Sequence, residues 1–125
     1  MRLVCGLLVA CVALHAQTKL ESAEALAFGP NGVLFVGDSQ GASLFAIGVP
    51  AGPAAKAAPF KFEGLDAKLA GLLGVKPTEI LIHDVAVQPA TGVAYLSVSR
   101  GRGPDAQAVI ATVTPAGKLE LLNLD

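Results

Sequence analysis

The sequence is poor in the residues that usually announce chemistry. Its 125 residues hold no Trp, one Tyr, two Cys and two His. Only 15% are charged, nine Lys and Arg against ten Asp and Glu. The formal net charge of −1 offers no basic field for nucleic acid or anionic lipid. Phosphate-loop and dinucleotide fingerprints are missing, and so is a nucleophile elbow. His15 falls in an N-terminal leader, leaving His83 alone, so a Ser-His-Asp triad is not supported. Hydrophobic residues make up 53%, too many for a disordered chain.

Part of that apolar excess sits at the start. "MRLVCGLLVACVALHAQ" reads as a secretory signal, with Arg2 as a short positive region and Leu3 to Leu14 as an uncharged core. Small Ala16 before polar Gln17 marks the cleavage point. The run is too short to span a bilayer as a helix. Cys5 and Cys11 both lie inside it, so cleavage leaves a mature chain, 17–125, without cysteine. That excludes a disulfide, a thiol nucleophile and a thiolate metal site there. The expectation is export to the periplasm or extracellular space. Two other readings stay open: a lipoprotein signal, with Leu8-Val9-Ala10-Cys11 as lipobox and Cys11 as lipid acceptor, and a buried N-terminal helix or strand.

What the chain does have is a repeat. "ALAFGPNGVLFVGDS" (Ala25 to Ser39) is echoed by "DVAVQPATGVAYLSVS" (Asp84 to Ser99). Leu26-Ala27-Phe28 aligns with Val85-Ala86-Val87, Pro30 with Pro89, and Gly32 with Gly92 after one insertion. Val33 to Val36 aligns with Val93 to Leu96, and Ser39-Gln40-Gly41 with Ser99-Arg100-Gly101. Self-similarity over tens of residues marks repeat architectures. Each run is short, rich in Val, Leu, Ile and aromatics, and bounded by turn residues, which predicts strands. Asn31-Gly32 supplies the positive φ of a tight hairpin, and continuous apolar runs suit strands covered on both faces. The first copy continues with a strand over Ser43 to Val49, the connection "PAGPAAKAAP", and a fourth strand over Phe60 to Glu63. The second continues with strands over Ala108 to Thr114 and Lys118 to Leu124, around a Pro115-Ala116-Gly117 turn. Between the copies, Leu65, Leu69, Leu72 and Leu73 share one helical face, and Gly74 and Pro77 mark its end. This predicts a helix of about nine residues covering a sheet edge.

Four antiparallel strands per repeat make a propeller blade. The pattern "LAFGPNGVLFVGDSQGASLFAI" resembles a blade of the six-bladed propellers of the NHL and SMP-30/gluconolactonase type, and more loosely TolB-like propellers. The expected fold is all-β: a signal segment (1–16), then a partial β-propeller with blade one over about 24–63, a helical insertion over about 64–79 and blade two over about 80–125. Closed propellers have four to eight blades. If each open end of a two-blade stack exposed about 500 Å² of apolar surface, the forgone burial would be about 12 kcal/mol per face. The chain is therefore expected to be a fragment of a longer protein that supplies further blades, or to close its ring by assembly.

In such propellers one face gathers the loop before the inner strand and the loop between the second and third strands. That puts Asp38 and Ser39, His83 and Asp84, and Arg100, Arg102 and Asp105 of "SRGRGPD" on a shared ligand face, for a small molecule or a protein. Each has a plainer use. His83 suits a structural hydrogen bond, Asp84 a cap on backbone N–H groups, Asp38 a turn, and the two arginines a solvated loop or a clamp on a carboxylate or phosphate. No metal ligands are assigned. The resemblance implies two functions: an exported binding or scaffold propeller, or a metal-dependent sugar-lactone hydrolase whose remaining ligands, for a divalent ion such as calcium, lie on other blades. The Glu of the hydrolase's first-blade signature is not recognisable, and a quinone-dehydrogenase propeller would need Trp-rich motifs.

Overall fold

The computed structural model describes residues 19–50 and 61–124. The leader, with Cys5, Cys11 and His15, lies outside the described residues, as do Asp125, most of the connection "PAGPAAKAAP" and Phe60, the first residue of the predicted fourth strand. The described chain forms two antiparallel sheets and one helix. The first sheet has three strands in the order β1 (Leu26–Phe28), β2 (Val33–Asp38) and β3 (Ser43–Gly48). The helix α1 (Leu65–Leu73) follows. The second sheet has four strands in the order β4 (Ile80–Val87), β5 (Ala94–Arg100), β6 (Gln107–Val113) and β7 (Leu119–Leu121). No helix among the described residues is long and apolar enough to cross a membrane.

The repeat in sequence is a repeat in register. Leu26 pairs with Val36, Ala27 with Phe35 and Phe28 with Leu34. Their counterparts pair in the same way: Val85 with Leu96, Ala86 with Tyr95 and Val87 with Ala94. The third strands agree as well, since Phe45 opposes Val36 as Ala111 opposes Leu96. Asn31 and Gly32 turn the first hairpin at φ 59° and 71°, the left-handed values this tight reversal needs.

Strand alternation sorts side chains between two layers. Leu34 and Val36 of β2 point at the second sheet and meet Tyr95 and Ile110 there. The Phe28 ring stands edge-on to Tyr95, centroids 5.2 Å apart. On its other face the second sheet offers Leu96, Val98, Ala111 and Val113 to Leu69, Ala70 and Leu73 of α1. The second sheet is thus the middle layer. Its strand β5 is buried on both faces from Tyr95 to Val98, as its unbroken apolar run predicts. Among the described residues, strand β2 is covered on one side only, and its burial alternates accordingly.

Several expectations are corrected. Lys61 to Glu63 form no strand. Phe62 instead packs against the helix-side core, with the Lys68 ammonium 4.4 Å from its ring centroid. The helix covers a sheet face rather than an edge: Leu69, Ala70 and Leu73 are buried against β5 and β6 with Leu65 beside them, whereas Leu72, expected on the same face, is 46% exposed. Its nine residues and the left-handed Gly74 that ends it are as expected, whereas Pro77 opens a 3-10 turn to Glu79. The last predicted strand shortens to Leu119–Leu121, flanked by backbone bonds from the Thr114 N–H to the Lys118 carbonyl and from the Leu122 N–H to the Ile110 carbonyl. His83 and Asp84 do not precede the strand but lie within β4.

Candidate functional site

The strand order places the connections at two opposite ends. The β1–β2 and β4–β5 hairpins share one end, where Gly32 approaches the buried Gln88 side chain. The β2–β3 and β5–β6 connections share the other, where Gln40 meets Gly101 and Arg102 across one groove. Most of the sequence candidates lie near this second end. The structure sorts them into three groups.

Asp38, Asp84 and Arg100 hold parts of the fold together. The Asp38 side chain is buried and accepts four hydrogen bonds, from the N–H groups of Glu21, Ser22 and Gly41 and from the Ser22 hydroxyl, at 2.8–2.9 Å. Burial alone would raise its pKa. The bonds from Gly41, Glu21 and Ser22 outweigh that and hold the carboxyl below its ordinary value. Asp84 accepts from the Leu26 N–H at 2.9 Å, across the seam between sheets, and from the Val85 N–H at 2.8 Å. These two bonds lower its pKa against a smaller desolvation. Arg100 donates from Nε to the Leu73 carbonyl at 3.0 Å and from a terminal nitrogen to Gln107 at 2.8 Å. It thereby satisfies a helix-end carbonyl that would otherwise lack a partner.

Ser39 and Asp105 stand apart. The Ser39 hydroxyl donates to the Glu24 carboxylate at 2.5 Å, beside a shallow depression on the outer side of the first sheet. Asp105 is exposed on the 3-10 turn Gly103–Asp105 and does not line the groove.

His83 and Arg102 do come together. They line an open groove of about 610 Å³ with Gln40, Leu81, Ser99 and Pro104. Its geometry starts from an irregularity in β4. The ladder passes from Ile82–Val98 directly to Asp84–Ser97, leaving His83 as the extra residue. Strict alternation would send His83 and Asp84 to opposite faces. The bulge turns both toward the first sheet. His83 Nε2 then sits 2.7 Å from the Ser99 hydroxyl, while Asp84 reaches Leu26. Arg102 is tethered by one bond, Nε to the Thr78 carbonyl at 2.8 Å.

Ser99, the first residue of the "SRGRGPD" loop expected at the ligand face, lines the groove, but sequence reasoning assigned no role to Ser97, whose hydroxyl donates across the seam to the Glu24 carbonyl at 2.5 Å. The Ser-x-Gly echo pointed at Ser99, but nothing local marks which serines face another sheet. Among the described residues, no three His, Cys, Asp or Glu side chains gather as a metal site. Comparison of the chain with protein-family models, curated proteins and solved structures found no match.

Proposed function

We propose that the chain is an exported binding or scaffold module built from two propeller-type blades, with its ligand end formed by the β2–β3 and β5–β6 connections. The carrying observation is the shared register of the two stacked sheets. Equivalent strands in equivalent pairing put equivalent loops at the same end, so each added sheet contributes to one common surface. The opposite, hairpin end offers tight turns around Gly32 and Gly92 and little side-chain chemistry. Functional side chains on loops held by a rigid sheet are the usual arrangement of a binding module. The N-terminal signal pattern supports export, and the NHL-like "FGPNGVLFVGD" pattern supports the blade assignment.

Two measurements test this reading. N-terminal sequencing of the exported product is expected to begin at Gln17; a start at Met1 refutes export, and a lipid-blocked Cys11 replaces secretion by anchoring. A small-molecule fragment screen read by amide NMR shifts is expected to perturb Gln40, Ser99 and Gly101 rather than Gly32 and Gln88. Binding confined to the hairpin end, or to neither end, refutes the ligand end proposed.

A further inference from the structure

The groove at His83 has a specific chemical bias. Among the described residues, its lining includes one permanent cation, Arg102, an imidazole, a hydroxyl and the Gln40 amide, and no carboxylate. Of the acids near it, Asp38 is committed to its four donors and Asp84 to the seam between sheets, while Asp105, exposed on the turn between Pro104 and Ala106, does not line the groove. Arg102 uses only Nε on protein, so its two terminal nitrogens have no protein partner among the described residues. Those two nitrogens form the planar fork that grips a carboxylate through parallel hydrogen bonds. Leu81, 51% exposed, and Pro104 give the groove an apolar wall beside that fork. The volume of about 610 Å³ falls within the usual range for small-molecule sites.

We propose that this groove binds a small carboxylic acid with an apolar body, the carboxylate on the Arg102 guanidinium and the body against Leu81 and Pro104. The proposal rests on the reading of this end as the ligand end and adds the ligand class. The His83–Ser99 pair completes the polar side. When His83 carries its proton on Nε2, that N–H donates to the Ser99 oxygen, and the Ser99 O–H is left to donate into the groove. A carboxylate favours that tautomer. An alcohol or amide can accept from the fork through a single neutral oxygen, without the charge-assisted paired bonds that a carboxylate makes.

The test uses the full chain and three probes: phenylacetate, its neutral isostere phenylacetamide, and inorganic phosphate. Amide NMR shifts at Ser99, Gly101 and Gly103 are followed up to ~10 mM, the range of millimolar dissociation constants. Phenylacetate is expected to bind about fivefold more tightly than the amide, the ratio an exposed charge contact sustains, and more tightly than phosphate. Arg102→Gln is expected to abolish the acid-over-amide preference, and Arg102→Lys to restore part of it. Thermal melting checks that the variants fold, and one exposed tether makes unfolding an unexpected result. Equal binding of acid and amide, an unchanged preference in Arg102→Gln, or no saturable shift with phenylacetate overturns the carboxylate assignment. Phosphate binding as tightly as phenylacetate overturns the apolar-wall part. If neutral fragments still bind in the groove when these probes fail, the ligand-end reading survives and only the ligand class falls. If no fragment binds there either, both fall.

Discussion

Asp38 shows how a residue that reads as chemistry becomes architecture. Its carboxylate gathers Glu21, Ser22 and Gly41 around the start of the first sheet. Asp38→Ala strands three backbone donors and the Ser22 hydroxyl, and is expected to cost about 2 kcal/mol in denaturant unfolding. The sign of the pH dependence follows from the lowered pKa. A carboxyl that is more acidic folded than unfolded contributes fully above its ordinary value of 3.8, and that contribution is lost as pH falls through the lower folded value. Thermal midpoints of Asp38→Asn are therefore expected to fall less steeply with acidification than those of the parent. Gly41 tests the same clamp by crowding. A Cβ there would lie 2.6 Å from one oxygen of the Asp38 carboxylate, a group that four bonds hold in place, so Gly41→Ala is expected to destabilise by about 1–3 kcal/mol. A Cβ on Gly29 would come as close, 2.5 Å, but to the Phe35 ring. That ring lies on the uncovered side of the sheet and can swing, so Gly29→Ala is expected to shift the thermal midpoint less than Gly41→Ala.

The strands and the helix depend on which faces they cover. Leu69 is fully buried between α1 and the second sheet. Leu69→Ala leaves a cavity there, and an unfolding titration is expected to register a loss of about 3 kcal/mol. The nine-residue length and Gly74 stop of the helix were legible because leucine spacing and a glycine cap are local signals. Which surface the helix covers was not, since the same stripe can lie on an edge or a face. The bulge at His83 is a similar case. Nothing in "TEILIHDVAV" marks the extra residue, because β4 acquires it through pairing with β5 and through the Asp84 bond to Leu26, 58 positions away.

Across the whole molecule, the two outer faces are not alike. The second sheet is covered by the first sheet on one side and by α1 over β5 and β6 on the other, while Val85 and Val87 of β4 remain more than half exposed. The outer side of the first sheet carries Ala27, Phe35, Leu44 and Ala46, with Leu44 71% exposed. Leu44→Gln is expected to change unfolding free energy by less than about 0.5 kcal/mol, against about 3 kcal/mol for Leu34→Ala on the opposite side of the same sheet. A loss above 1 kcal/mol at Leu44 would mean that this face is covered in solution. The sequence by itself determined the repeat, the strands other than the one expected at Phe60 to Glu63, the hairpins with their positive-φ residues and the helix with its stop, because backbone preference and apolar periodicity act over a few neighbours. Tertiary structure alone decided that Asp38, Asp84 and Arg100 are structural, that His83 and Arg102 share a groove, and that the helix lies on a face. Those outcomes depend on bonds between residues up to 58 positions apart and on the layer that buries each strand, which no local pattern encodes.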